Sequence, residues 1–243
     1  LQRKNKTPLI IHCKRLNALV KWLQSHPKAL VYKKLAKLCA IHLRVYSDAA
    51  FKKEEETGHS TRGAIYALCA MLDDFTSTTM TCLIDYVNKQ QRRVTRSTFV
   101  AELLSACDAI DRGILLSQML HEICTGEISI SNARRMREYG GYAIPMALYV
   151  DAQSVFVSIT STFIKIPADN GVLSHIQYIR ELLDTKVLQW LFWVDTRDMC
   201  ADGLTKGSVH REAIQELMSG KLTLAHGTKG WSSTLTHRNS APK

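Results

Sequence analysis

Four acidic side chains stand out by where they fall in the chain: Asp48, Glu102, Asp151 and Asp202. Asp48 closes a stretch in which Ile41, Leu43 and Val45 alternate with His42, Arg44 and Tyr46, the period of a half-buried strand. Asp151 follows the apolar run Met146-Ala147-Leu148-Tyr149-Val150, while Glu102 and Asp202 fall on segments that read as helical. If the strands ending at Asp48 and Asp151 are neighbours, both carboxylates share one edge of a sheet, where α/β proteins usually build their sites. Carboxylates held together repel one another unless cations compensate. All-oxygen ligands favour Mg²⁺ or Mn²⁺, and two such ions about 4 Å apart can clamp the attacking and leaving oxygens of a phosphodiester. Each acid also has an ordinary explanation: a helix N-cap at Asp151, a turn residue at Asp48, an exposed helix position at Glu102 and a first-turn acid at Asp202.

The elements that must position these acids are legible in outline. After the strand Ile41 to Asp48 comes a charged hairpin loop, Lys52 to Arg62. Two further strands follow, Ala64 to Met71 and Met80 to Val87, and the three form a meander. Phe99, Leu103, Cys107, Ile110 and Ile114 mark one face of a long helix carrying Glu102 near its edge. A polar stretch from Arg134 to Gly141 leads to the strand before Asp151, and a helix runs through Val155, Phe156 and Ile159. Ile166 to Gly171 reads as a loop and Ser174 to Asp184 as a helix. Val187 to Val194 reads as a last strand, and Met199 to Lys206 as the start of a closing helix. Strands with interspersed helices predict an α/β fold with a mixed sheet and helices on both faces.

Charge divides the chain. Residues 1–44 hold eleven Lys and Arg and no acid; 32 minus 11 leaves 21 basic against 22 acidic residues beyond them. The basic, acid-free segment suits a polyanion such as nucleic acid, or is simply a solvated face. Within it, Thr7-Pro8 reads as a helix start, and Leu9, Leu16, Leu19, Val20 and Leu23 recur at helical spacing. The expected organisation is a basic helical segment at 1–40, a catalytic-type domain at 41–218 and a loosely ordered tail at 219–243. With 46% hydrophobic residues, 12 glycines and 5 prolines, a disordered chain or a fibre is excluded. No run reaches the roughly 18 apolar residues of a membrane span. The seven cysteines are scattered without a Cys-x-x-Cys pair, as expected of core residues in a reducing compartment.

The surroundings of the four acids carry a family resemblance. Tyr46-Ser47-Asp48-Ala49, Ser97-Thr98-Phe99-Val100-Ala101-Glu102-Leu103, Tyr149-Val150-Asp151-Ala152-Gln153-Ser154 and Ala201-Asp202-Gly203-Leu204-Thr205-Lys206 appear in that order. They resemble the motifs of the ribonuclease H domain of copia-type retrotransposon Pol polyproteins: Tyr-x-Asp-Ala, Ser-Ser-Thr-Glu-Ala-Glu-Tyr, Asp-Asn-x-Ser and Ala-Asp-x-Leu-Thr-Lys. The resemblance spans about residues 41 to 206, and the last motif is its most specific part. Leu16 to Leu23 with Leu30-Val31-Tyr32 is similar to the connection between reverse transcriptase and ribonuclease H, so the chain looks like a polyprotein fragment or a domesticated remnant.

That resemblance implies a ribonuclease H-like mixed five-stranded sheet with helices on both faces. It implies an endonuclease that hydrolyses the RNA strand of RNA/DNA hybrids during reverse transcription, with Asp48, Glu102, Asp151 and Asp202 holding two Mg²⁺ ions, or Mn²⁺ in their place. His175, in Ser174-His175-Ile176, is similar to the histidine of the family's Lys-His-Ile motif and is expected near the site or the hybrid. Arg92, Arg93, Arg96, Arg134, Arg135 and Arg137 are candidates for contact with the nucleic-acid backbone. The implied partners are the hybrid and a reverse transcriptase domain of the same polyprotein, with no membrane. The implied setting is intracellular, in a cytoplasmic particle and/or the nucleus. Departures from the pattern are Phe99 and Val100 in the second motif, Ala152 for the Asn after the third acid, and Ser174 for the usual Lys. Three other readings compete: a catalytically inactive ribonuclease H-like module of a decayed or domesticated element that only binds nucleic acid, an integrase- or transposase-like enzyme acting on duplex DNA, and a structural role in which residues 1–44 dock the domain onto a polymerase.

Overall fold

The computed structural model describes residues 9–27, 29–35, 41–51, 58–70, 78–127, 129–163, 170–207 and 211–234. The chain forms two compact units, Leu1–Leu30 and Val31–Lys243. In the first, helix α1 (Ile10–Ser25) has no buried residue, and Leu16, Trp22 and Leu23 are exposed. The expected helix start at Thr7-Pro8 lies outside the described residues.

The second unit is built on one sheet. Strands β1 (Ile41–Ala50), β2 (Thr61–Ala70) and β3 (Thr79–Gln90) form the antiparallel meander. Strand β4 (Met146–Val150) lies parallel to β1, and β5 (Trp190–Val194) parallel to β4, so the condition set by Asp48 and Asp151 is met: their strands are neighbours. Two short strands complete the sheet. β6 (Lys221–Leu222) pairs with β3 at one edge and β7 (Thr228–Trp231) with β5 at the other, in the order β6-β3-β2-β1-β4-β5-β7. The sheet thus has seven strands where five were expected. Both additions fall in the segment read as a loose tail, because strands of two and four residues carry no period to detect.

Alternation along the central strands fills two cores. Leu43 and Val45 of β1 and Met146, Leu148 and Val150 of β4 pack on one face with Leu103, Ala106 and Ile110 of helix α2 (Thr98–Thr125). Helices α4 (Gln153–Thr160) and α5 (Asn170–Asp184) extend this layer through Val155, Ile159, Ile176 and Ile179. Tyr46, Tyr149 and Phe192 stack on the other face with Met199, Cys200 and Leu217. That layer contains helices α6 (Asp202–Thr205) and α7 (Glu212–Met218). Helices therefore cover both faces, and β1 and β4 are buried on both.

The remaining differences from expectation are local. The arginine-bearing stretch is a helix, α3 (Ile130–Tyr139), whose only buried residue is Met136, so it lacks the apolar stripe that would have announced it. Asn170 and Gly171 begin α5 instead of closing a loop; residues 164–169 lie outside the described residues, as do residues 52–57 of the hairpin loop. The closing helix is preceded by a 3-10 turn at Thr196–Asp198 and begins only at Asp202. Helix α2 ends at Gly126, whose φ of 72° is the left-handed conformation that residues with a Cβ avoid. Cys69, Cys82, Cys107 and Cys200 are buried free thiols. No helix among the described residues is long and apolar enough to cross a membrane.

Candidate active site

The sheet topology delivers the acids to one edge. A parallel pair places both carboxyl ends together, so Asp48 near the end of β1 and Asp151 just beyond β4 come to the same side. Helix α2 starts at that edge. Its cap, Ser97, accepts from the backbone N–H of Val100, and Gln91 donates through Nε2 to the Ala101 carbonyl at 2.7 Å. These contacts fix the turn that carries Glu102. A buried pair of hydroxyls ties the helix to the strand: Ser47 donates to Ser105 at 3.1 Å, and Ser105 donates to the Asp48 carbonyl at 2.9 Å. Trp193 of β5 donates through Nε1 to the Asp151 carbonyl at 2.8 Å, and Thr196 donates to Asp151 Oδ2 at 3.1 Å.

Carboxylate oxygens of Asp48, Asp151 and Asp202 lie within 4.8 Å of one another. Glu102 is buried beside this cluster: its carboxylate accepts from the Ala49 backbone N–H, and the negative charges of Asp48 and Asp151 act on it. Three of the four acids singled out in the sequence thus share one cluster, with the fourth next to it. Burial, then the negative charge of Asp48 and Asp151, pushes the Glu102 carboxyl far above the usual carboxylate range. Burial, then Asp48, also raises Asp202 and Asp151. Such shifts record a site with more negative charge than its surroundings can solvate.

Two residues left without a role in the sequence reading complete the cluster. Thr205 donates its hydroxyl to Asp48 Oδ2. The Lys206 ammonium stands among three carboxylates, 2.6 Å from Asp202 Oδ1, 3.2 Å from Asp48 Oδ1 and 3.9 Å from Asp151 Oδ2. Burial alone would lower the Lys206 pKa, but these carboxylates override it and raise it. The spacing of Asp202 and Lys206, one helical turn, was the available signal.

The donor set fits divalent cations. It is made of oxygen alone, and Asp48 is fully buried with its Oδ1 lacking a hydrogen bond among the described residues even though Lys206 is close. Asp48, Glu102, Asp151 and Asp202 are the residues that would hold such ions.

The other candidates sort by position. His175 does not line the acid cluster; it lines a hollow of about 310 Å³ with Arg93, Arg96, Thr95 and Gly171, and an adjoining one of about 230 Å³ with Arg92, Arg93 and Gln91. Arg92, Arg93 and Arg96 lie on the turn leading into α2, so this basic hollow flanks the edge that carries the acids. Arg134, Arg135 and Arg137 are exposed on α3, beyond the far end of α2, a helix of 28 residues and hence about 42 Å long. The chain enters β4 from α3, so these three arginines stand towards the opposite end of the sheet from the acids and are not brought together with them.

No protein-family model matches the chain, and no curated protein matches it. Ribonuclease H structures are among its structural neighbours. The type 1 ribonuclease H of the halophilic archaeon Halobacterium salinarum NRC-1 is 16% identical, with 72% of this chain and 98% of that chain covered and a TM-score of 0.41. A type 1 ribonuclease H isolated from compost by a metagenomic approach is 12% identical over 73% of this chain and 99% of its own, with a TM-score of 0.43. The compost enzyme in complex with an RNA/DNA hybrid is 9% identical over 67% of this chain and 92% of its own, at a TM-score of 0.41.

Proposed function

We propose that this chain is a metal-dependent endonuclease that hydrolyses the RNA strand of RNA/DNA hybrids, of the kind encoded in copia-type retrotransposon Pol polyproteins. The observation that carries the reading is the cluster of Asp48, Asp151 and Asp202, whose carboxylate oxygens lie within 4.8 Å of one another at one edge of the sheet, with Glu102 buried beside it. No structural need of the fold explains four acids there, since unneutralised buried carboxylates cost stability. Bound Mg²⁺, or Mn²⁺, would supply activation of a water and stabilisation of charge on the phosphodiester oxygens. The chain's own part is to hold the ion ligands on rigid elements. The Ser47–Ser105 link fixes Asp48 relative to Glu102, and Thr205 and Thr196 orient the Asp48 and Asp151 carboxylates.

The hollow formed by Arg92, Arg93, Arg96 and His175 suits the phosphate backbone of one strand of the hybrid, where His175 contacts nucleic acid and not a metal. Contacts to 2′-hydroxyls would select the RNA strand for cutting. A reverse transcriptase domain of the same polyprotein, and an intracellular setting in a cytoplasmic particle and/or the nucleus, belong to this proposal through the motifs of residues 16–32 and 41–206.

A second reading draws on Lys206. An ammonium lodged among the carboxylates is also how a ribonuclease H-like module that no longer binds metal would balance its charge. The deciding experiment is cleavage of a labelled RNA/DNA hybrid in Mg²⁺ by the natural chain and by Asp48→Asn, which keeps the side chain's shape and removes its charge. RNA-strand cutting by the natural chain alone supports the nuclease. Hybrid binding without cutting by either protein defeats it in favour of the binding module, and cutting of duplex DNA instead points to an integrase-like enzyme.

A further inference from the structure

Lys206 has a geometry that an ordinary surface ion pair does not explain. Its Nζ lies 2.6 Å from Asp202 Oδ1, 3.2 Å from Asp48 Oδ1 and 3.9 Å from Asp151 Oδ2, so one ammonium serves three carboxylates from three elements. A divalent ion bound to the same Asp202 oxygen at about 2.1 Å would lie no more than 2.6 plus 2.1, or about 4.7 Å, from this nitrogen. Two cations that close repel each other and compete for the same oxygens.

The stem of Lys206 begins just past the end of α6, and its side chain is 33% exposed, while the carboxylates it serves are at most 9% exposed. The acids are therefore fixed, and the lysine is the member with room to leave. Thr205, the preceding residue, holds Asp48 Oδ2 through its hydroxyl, so the lysine head can depart without releasing the carboxylate.

We propose that Lys206 is an internal counter-ion that keeps the acid cluster assembled before metal arrives and that is displaced when a divalent cation loads. This inference rests on the metal-dependent reading of the site and adds its regulation: the intramolecular ammonium competes with the ion and sets the Mg²⁺ concentration at which the site fills. Losing the ammonium has two opposite consequences. Without metal, the carboxylates are left unneutralised and the fold loses stability. With metal, nothing has to be expelled and binding tightens.

The test measures both on the full chain with Lys206→Met, which keeps length and apolar stem, and Lys206→Arg, which keeps the charge. Thermal melts in EDTA read the first consequence, and calorimetric titration with MgCl₂ reads the second. The expected result is a lower melting temperature for Lys206→Met in EDTA, with Mg²⁺ binding several-fold tighter than in the natural chain and Lys206→Arg close to natural on both. A purely structural lysine would not give tighter metal binding on removal. Mg²⁺ binding that is unchanged or weaker in Lys206→Met overturns the displacement while leaving the metal site standing. Absence of Mg²⁺ binding in the natural chain and both variants overturns the metal reading and the displacement with it, even if the EDTA melts show the counter-ion role.

Discussion

Gly63 offers the sharpest test of how the closing helix sets the site. It lies on β2 directly across from Asp48, and a methyl group built on it would sit 2.6 Å from Thr205 Cγ2, 3.3 Å from Leu204 Cβ and 3.4 Å from the Ala201 carbonyl oxygen. Ordinary contact begins near 3.4 Å, so to restore it in Gly63→Ala Thr205 must move back by 3.4 minus 2.6, or about 0.8 Å. Thr205 is hydrogen-bonded to Asp48, and its neighbours Asp202 and Lys206 belong to the cluster, so the shift is delivered to the site itself. Overpacking of this kind costs about 1–3 kcal/mol of stability. A displacement near 1 Å at reacting groups costs on the order of 100-fold in rate. The assay is hybrid cleavage in Mg²⁺ beside urea unfolding, with Thr205→Ser as partner substitution: it removes Cγ2 and keeps the hydroxyl. The double variant Gly63→Ala with Thr205→Ser should recover most of both losses, leaving only the milder contact with Leu204. A single variant that cleaves like the natural chain, or a double variant no better than the single one, would refute the steric account.

Four further outcomes are expected. Ser105→Ala removes a buried hydroxyl that accepts from Ser47 and donates to the Asp48 carbonyl, and should cost about 1–3 kcal/mol with reduced cleavage, read by denaturant unfolding and kinetics. Because burial and the neighbouring carboxylates push Glu102 up to about 9 and Asp202 up to about 7, Mg²⁺ binding at neutral pH should release protons and tighten as pH rises; titrations in buffers of different ionisation heat would show no buffer dependence if the shifts are absent. The same raised values mean that the folded state binds protons more tightly than the unfolded chain. In EDTA, stability should therefore fall as pH climbs from the ordinary carboxylate range towards the raised one, and a melting temperature flat across that range would contradict this. Arg93→Ala should weaken hybrid binding across sequences and lower the salt slope by about one, whereas Arg134→Ala should leave both unchanged; equal losses would put α3 on the hybrid after all.

How much of this was legible in the sequence follows from what each element had to say locally. Asp48 and Asp151 were readable because they fall at the ends of strands whose apolar period is plain, and Glu102 because it lies in a long helix with a clear stripe; Asp202, on a helix of four residues, was readable because type and order matched a known set of motifs. The pairing of β1 with β4 was readable only as a condition, since nothing local tells a strand which neighbour it will take. Lys206 was in view within its motif, yet its role depends on Asp48 and Asp151, which lie 158 and 55 positions away in the chain. His175 was placed by resemblance and ended in the arginine-lined hollow, because the start of α5 and the turn before α2 line the same space. Helix α3 and the outer strands stayed hidden for a shared reason: their residues make too little core to leave a pattern.

Strands β6 and β7 close opposite margins of the sheet, yet only residues 223–227 join them. Six strand spacings of about 4.8 Å would set flat margins about 29 Å apart, whereas the six steps from Leu222 to Thr228 reach about 21 Å when fully stretched. The sheet must therefore be curled, and the short connection, with Leu224 buried beneath one face, acts as a bowstring across it. During synthesis this cord is drawn only after strands β1 to β5 have all emerged. Until then the margins of β3 and β5 stand open to any other strand, which is the kind of edge that invites pairing between copies.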